Sequence, residues 1–194
     1  TLIYPGEKLT CTGNVSDPDG DEVFKTYKWS RDGVQIPGAN ALEYITLSQD
    51  RTKNISCEII VPSNADANGS NEVTRLSSNF FTPANRTPTS GFAVFVTSNQ
   101  ANYYNSSIMT CSATTTDPDG DVLMYSYKWK KGGSYIPGAT SNEIGPDVHL
   151  GQPNNVFRCE VTASDGYDVA VSQSANISII NRAPVFTQQP TVSP

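Results

Sequence analysis

The sequence has little positive charge. Its 194 residues contain 13 lysines and arginines against 19 aspartates and glutamates, which gives a net charge of −6. Proteins that bind nucleic acid through the phosphate backbone need a basic surface. The charge balance therefore argues against nucleic acid as a partner.

Long apolar runs are also missing. No segment approaches the roughly 20 apolar residues that span a bilayer, so we predict no membrane insertion in this segment. The residues after Thr1 do not form the charged, apolar and small-residue pattern of a secretion signal. If the protein is exported, its signal lies outside these residues.

Groups suited to catalysis are scarce. The single histidine, His149, lies in the sequence PDVHLG, and no recognisable motif places a serine or cysteine nucleophile beside it. We predict that His149 is a surface or rim residue. The clustered carboxylates, which could serve glycoside chemistry, all lie in predicted turns. The sequence therefore predicts that the protein is not an enzyme.

An internal repeat is the most informative feature that is present. Residues 9–39 align without a gap on residues 109–139, including a shared cysteine, DPDGD, YKW and IPGA. Later, Cys57 corresponds to Cys159, and NRTP from Asn85 corresponds to NRAP from Asn181. Internal repeats define modules, so the chain is predicted to contain two copies of one module.

Apolar and polar residues alternate around each cysteine, as in Leu9, Cys11 and Gly13 or Phe157, Cys159 and Val161. A period of two with one apolar face predicts half-buried strands, and no stretch has a convincing helical period. Short strands separated by Gly, Pro, Asn and Asp are typical of a β-sandwich. The predicted fold class is all-β.

The four cysteines divide evenly between the modules. Four cysteines allow three pairings, and the repeat favours the one that treats both modules alike, Cys11 with Cys57 and Cys111 with Cys159. Two disulfides imply an oxidising compartment. We therefore predict an extracellular protein at the cell surface.

Each module has a tryptophan, Trp29 or Trp129, 18 residues after its first cysteine. This Cys-Trp-Cys order resembles the immunoglobulin-like β-sandwich, in which a core tryptophan packs on an inter-sheet disulfide. The tyrosine expected two residues before the second cysteine is replaced by Ile55 and Phe157. With DPDGD, Y-x-W, IPGA and N-x-x-P, the chain is similar to the tandem immunoglobulin-like or cadherin-like repeats of large bacterial surface, adhesin and filament proteins.

The repeated DPDGD loop has two interpretations. Asp, Pro and Gly are favoured in any tight turn, so the loop can be a solvated turn. Alternatively, its carboxylates converge on Ca²⁺, which takes about six to eight oxygen ligands. The resemblance to cadherin-like repeats implies a calcium-stiffened joint. The candidate calcium ligands are Asp17, Asp19, Asp21, Asn85, Asp117, Asp119, Asp121, Asp165 and Asp168.

The predicted organisation follows the repeat. A first immunoglobulin-like domain with an incomplete first strand covers residues 1–84, a linker covers 85–88, and a second domain covers 89–180. Residues 181–194 then form a linker and the first strand of a following domain, or a strand donated to another subunit. If these residues begin a following domain, the chain is one period of a covalent array of modules. A third alternative is that the ends of the sequence are arbitrary boundaries.

The predicted function is a structural segment of an extracellular filament, stalk or adhesin, stiffened by calcium at its joints. Its predicted partners are neighbouring identical modules or subunits, with a cell-surface glycan or protein as a further ligand. The alternative function is a carbohydrate- or protein-binding module attached to a secreted enzyme. For that alternative, Tyr103, Tyr104 and Tyr135 offer a sugar-stacking platform.

Overall fold

The computed structural model describes residues 2–17, 20, 22–62 and 73–192. The protein is all-β, with 38% of residues in strands and 4% in helices, as the sequence predicts. Two short helical segments lie within these residues, a 3-10 helix at Ser48–Asp50 and helix α1 at Pro146–His149. No helix in these described ranges is long and apolar enough to cross a membrane.

Fourteen strands are assigned within the described residues. In chain order they are β1 (Lys8–Thr10), β2 (Thr26–Arg31), β3 (Val34–Gln35), β4 (Glu43–Ile45), β5 (Ile55–Pro62), β6 (Val73–Phe81), β7 (Val94–Ser98), β8 (Met109–Ala113), β9 (Met124–Lys131), β10 (Ser134–Tyr135), β11 (Glu143–Ile144), β12 (Val156–Ser164), β13 (Val169–Gln173) and β14 (Ile177–Ser178). Every strand pairing is antiparallel, which is why short turns connect many of the neighbours.

The chain divides into two compact units. The first unit contains Thr1–Arg86 together with Pro118–Asp121, and the second contains Thr87–Asp117 and Val122–Pro194. The short segment Pro118–Asp121 forms the last four residues of the second DPDGD copy, so this copy contributes residues to both units.

The first unit has a two-stranded sheet, β1-β4, and a four-stranded sheet in the order β3-β2-β5-β6. Its core combines residues of both sheets with the disulfide between Cys11 and Cys57. Trp29 lies directly opposite Cys57 in the β2–β5 register and is 3% exposed. Its indole N–H donates to the carbonyl oxygen of Ala41 at 2.9 Å, so its polar group is satisfied within the core.

The second unit has a three-stranded sheet, β11-β8-β7, and a sheet in the order β10-β9-β12-β13, with β14 also paired to β12. The disulfide between Cys111 and Cys159 joins β8 of one sheet to β12 of the other. Trp129 lies opposite Cys159 and donates its indole N–H to Ser141 O at 3.0 Å. The two units therefore repeat the same arrangement of tryptophan and disulfide.

The prediction that His149 is a surface or rim residue is wrong. His149 ends α1, is 1% exposed, and contacts the ring edge of Phe157 with ring centroids 5.6 Å apart. The N–H of Gly151 donates to Nδ1 at 2.8 Å, and Nε2 lies 2.9 Å from the carbonyl oxygen of Ser107. Because Nδ1 accepts, Nε2 carries the proton and donates, so both nitrogens are satisfied inside the core.

Candidate metal centre

In the first DPDGD copy, the structure describes Asp17 and Gly20. The carbonyl oxygen of Asp17 accepts the N–H of Gly20 at 3.2 Å, and Gly20 has a φ of +86°. Glycine adopts this left-handed conformation without steric cost. The other two candidate ligands of this copy, Asp19 and Asp21, lie outside the described residues.

In the second copy, the carboxylate of Asp119 is bound by Arg86. The side chain of Asp119 is fully buried, and it accepts the backbone N–H of Arg86 at 2.8 Å and its Nε–H at 2.6 Å. The guanidinium of Arg86 also donates to Pro5 O at 3.0 Å and lies 5.1 Å from the ring centroid of Tyr4. Within the first unit, Asp119 is therefore part of a charge-assisted network.

Asp121 and Asn85 are both bound by Arg51. The guanidinium of Arg51 makes a bidentate contact with the Asp121 carboxylate, and its Nη2 lies 2.6 Å from Oδ1. Nη1 also donates to Asn85 Oδ1 at 2.6 Å, and Nε donates to Ser48 O at 3.0 Å. Arg51 is only 5% exposed, so this ion pair is screened little by solvent.

Two of the candidate ligands in the second unit form a small acidic group. One carboxylate oxygen of Asp117 lies within 4.8 Å of one carboxylate oxygen of Asp165. Asp165 belongs to the β12–β13 hairpin, where its Oδ1 accepts the backbone N–H groups of Tyr167 at 2.7 Å and Asp168 at 2.6 Å. Asp168 thus contributes a backbone donor to this turn, and its carboxylate is not in the acidic group.

These contacts fit neither interpretation of the DPDGD loop alone, because the side chain of Asp119 is fully buried and bound by an arginine. Asp119, Asp121 and Asn85 bind protein cations, and a metal ion that took their oxygens would compete with Arg51 and Arg86. Asp117 and Asp165 offer hard oxygen ligands of the type that Ca²⁺ prefers. A complete shell needs about six ligands, so water or backbone oxygens would supply the remainder.

Sequence reasoning missed both arginines. Arg86 had a recognisable signal in the sequence, because NRTP recurs as NRAP with Arg182 at the same position. In the structure, each of these arginines lies against a tyrosine ring. The guanidinium of Arg182 lies 4.6 Å from the ring centroid of Tyr104, which is 100 residues after Tyr4. No comparable signal marked Arg51, whose contact with Asp121 joins residues 70 positions apart.

A second buried polar cluster lies in the first unit and was also missed. Asp50 is fully buried and accepts the hydroxyl of Tyr44 at 2.7 Å, the Nε–H of Arg31 at 2.6 Å and the N–H of Leu47 at 2.7 Å. Burial, together with the hydrogen bond and charge of Asp50, raises the pKa of Tyr44 to about 12. The cluster fixes the 3-10 helix to the core.

The tyrosines proposed as a sugar platform have other contacts in the second unit. Tyr103 packs against the core and donates its hydroxyl to Val96 O at 2.5 Å. Tyr135 donates its hydroxyl to Glu160 at 2.9 Å, and Lys130 lies at the same distance from that carboxylate. Burial favours the neutral form of Glu160, but the hydrogen bonds from Lys130 and Tyr135 outweigh it and lower its pKa.

Comparisons with known proteins add no family to this description. A scan against protein-family models finds no match for the chain, and a search of curated proteins finds none either. The function is therefore argued from the residues and their arrangement.

Proposed function

We propose that the chain is a non-enzymatic structural segment of an extracellular filament, stalk or adhesin, built from two tandem immunoglobulin-like β-sandwiches. The observation that carries this proposal is the repeated core. In both units a buried tryptophan lies opposite the second cysteine of a disulfide, on neighbouring strands. This arrangement is typical of immunoglobulin-like domains, and its repetition along one chain is typical of proteins that provide length.

The disulfides support a mechanical role. They join cysteines that are 46 and 48 positions apart in the sequence, and the segments between them cannot extend under load while the bonds are intact. Disulfides of this kind persist in oxidising environments, which supports an extracellular location. A segment of this design resists extension even after its strands separate.

Single-molecule pulling tests the mechanical role. Reduction of one disulfide should release its enclosed segment and add about 160 Å to the extended length of that unit, at roughly 3.3–3.6 Å per residue. The disulfide-free double variant Cys111→Ala/Cys159→Ala provides the matched control, because its second unit should already have the longer extension. An extension that is unchanged by reductant would contradict this role.

Immunogold labelling tests the location. Antibodies against the folded chain should label filaments or the surface of intact source cells without permeabilisation. Label that appears only after permeabilisation would contradict the proposal.

A glycan array tests the alternative function. Specific binding to a glycan that is lost in Tyr135→Ala would favour a carbohydrate-binding module.

Calcium is a secondary part of the proposal, and it is supported by the carboxylates of Asp117 and Asp165. Calcium added to chelated protein should raise the melting temperature, since a bound ion stabilises by about 2.7 kcal/mol at 100 times its Kd. Asp165→Asn is the matched variant, because it keeps Oδ1 for the turn but removes the charge. An equal response of both proteins, or no response, would remove calcium from the proposed function.

A further inference from the structure

The outer face of the larger sheet in the second unit carries two cations side by side. Lys130 lies directly opposite Arg158 in the β9–β12 register, on the face that points away from the core residues Trp129 and Cys159. Like charges in directly opposite positions of a sheet repel one another and lower its stability. The fold therefore gains no stability from bringing these two cations together.

The first unit shows that the sheet does not require these cations. Lys130 directly follows the tryptophan of its unit, and Arg158 directly precedes the second cysteine. The residues at the same two places in the first unit are Ser30 and Ser56, which also lie directly opposite each other. The same sheet is thus built without either cation.

A tyrosine on the neighbouring strand extends this row of side chains. Tyr135 of β10 lies opposite Lys130, and the Lys130 amine is 4.6 Å from the centroid of the tyrosine ring. In the first unit the equivalent residue is Gln35, which lies opposite Ser30. All three residues of the row across β10, β9 and β12 therefore differ between two units that share the same tryptophan and disulfide.

A cavity of about 380 Å³ lies beside the two cations. Its lining includes Lys130, Arg158, the amide residues Gln173 and Asn176, and the β9–β10 turn residues Gly132 and Gly133. Ligand pockets in proteins begin at about 300 Å³, so this volume suits a small ligand. The two glycines have no side chains, which leaves their backbone open to close approach.

The guanidinium of Arg158 is held in place, but its charge is not neutralised. Its Nε donates to Asn176 Oδ1 at 2.6 Å, and no acceptor within the described residues meets its two terminal nitrogens. The arginines of the first unit differ, because all four form an ion pair with a carboxylate, namely Arg31, Arg51, Arg75 and Arg86. Parallel N–H groups of a guanidinium match the two oxygens of a carboxylate. Arg158 therefore offers an oriented fork to an anion from outside the chain.

The neighbouring Glu160 limits the total charge around the cavity. Its Oε2 lies 2.9 Å from Lys130 Nζ, and the Gln173 amide donates to the same oxygen at 2.7 Å. With Lys130 and Arg158, the three charged groups leave one net positive charge. A ligand group with a single negative charge matches this balance better than a phosphate monoester, which carries about −1.5 to −2 at pH 7.

We propose that this cavity binds an acidic sugar, whose carboxylate is held by the guanidinium of Arg158. Lys130 lies beside the same carboxylate and adds to the attraction. The Gln173 amide keeps its carbonyl oxygen as an acceptor, and the Asn176 amide keeps its NH₂ group as a donor. Sugar hydroxyls donate and accept hydrogen bonds, so they match this pair of amides. The ligand class is therefore an oligosaccharide that contains a carboxylated sugar.

This inference rests on the adhesin form of the proposed function and names its ligand class. The test is a glycan array, probed with the full chain, that carries oligosaccharides of galacturonic, glucuronic and sialic acid beside their methyl esters. Each ester keeps the sugar hydroxyls but lacks the charge, so we expect the chain to bind acids and not esters. Arg158→Ser introduces the residue type of Ser56 and should weaken binding of the best acid by about tenfold or more, measured by calorimetry.

Arg75→Ser is the matched control, because it removes an exposed arginine from the first unit and should leave binding unchanged. Arg158 is itself exposed and lies opposite a like charge, so Arg158→Ser should not lower the melting temperature. An unchanged melting temperature separates loss of the site from loss of the fold.

Four results would overturn the acidic-sugar site. They are equal binding of acids and esters, binding confined to sulfated sugars or to a pentaglutamate peptide, binding that survives Arg158→Ser, and no binding of any acid. The first of these would instead favour a neutral stacking platform, which does not depend on charge. Surface labelling and the pulling response do not depend on Arg158, so the two proposals fail separately.

Discussion

Arg51 is buried in the first unit with acceptors on three sides of its guanidinium. Ser48 O, Asn85 Oδ1 and the Asp121 carboxylate all accept from it. We expect Arg51→Met to lower the free energy of unfolding of this unit by about 3 kcal/mol, because the Asp121 charge loses its partner in a poorly solvated site. Urea unfolding followed by tryptophan fluorescence measures the loss.

Lys8→Met is the control for this prediction. Lys8 forms an ion pair with Glu43 in which both side chains are about half exposed. Exposed pairs contribute about 0–1 kcal/mol, so this variant should unfold almost as the parent does. Equal losses in the two variants would show that burial of the Arg51 network adds nothing to stability.

Tyr44 gives a prediction at high pH. Its folded-state pKa of about 12 lies above its ordinary value of 10.0, because the side chain is buried and bonded to Asp50. Its stabilising contribution is therefore complete below about pH 10 and is lost as the pH rises through 12. The absorbance of tyrosinate is measured after a rapid pH jump. The parent should show a titration step near pH 12 that is absent from Tyr44→Phe. Titration near pH 10 would contradict the buried hydrogen bond.

The residues that could be predicted from the sequence are those whose role depends on a repeated spacing. Both disulfides and both tryptophans belong to this group. Asp50 and Arg51 do not, because their charged partners are 19 and 70 residues away and no pattern connects them. Asp119 is one of the predicted calcium ligands, but the sequence does not identify Arg86 as its partner. A carboxylate that binds arginine and a carboxylate that binds calcium have the same sequence signature.

At the scale of elements, the Asp165 side chain stabilises the turn of the β12–β13 hairpin. Oδ1 of Asp165 accepts two backbone N–H groups, from Tyr167 and Asp168. Asp165→Ala removes both hydrogen bonds, and we expect a loss of about 1–2 kcal/mol. Hydrogen exchange at Val169–Gln173 should become faster. Asp165→Asn keeps the acceptor and should behave like the parent without calcium; an equal loss in both variants would assign the effect to charge.

The strands beside the cysteines were predictable because each has one core face, which imposes a period of two. Helix α1 was not, because four residues are too few to establish a helical period. Its consequence is large, since α1 brings His149 into the core where a surface residue was expected.

At the scale of the whole chain, each unit has its own disulfide and its own core cluster. We expect Cys111→Ala/Cys159→Ala to destabilise the second unit by about 2–4 kcal/mol, because the unfolded segment regains its conformational freedom. Hydrogen exchange resolved by peptide measures the two units separately in one sample. Val156–Ser164 in β12 should lose protection, and Ile55–Pro62 in β5 should keep it.

The double variant Cys11→Ala/Cys57→Ala reverses this test. Protection should then fall in β5 and persist in β12, and the loss should be of similar size, because the two disulfides close loops of nearly equal length. Equal loss of protection in both units of either variant would contradict independent cores. Units that unfold separately suit a load-bearing chain, since one can extend while its neighbour stays folded.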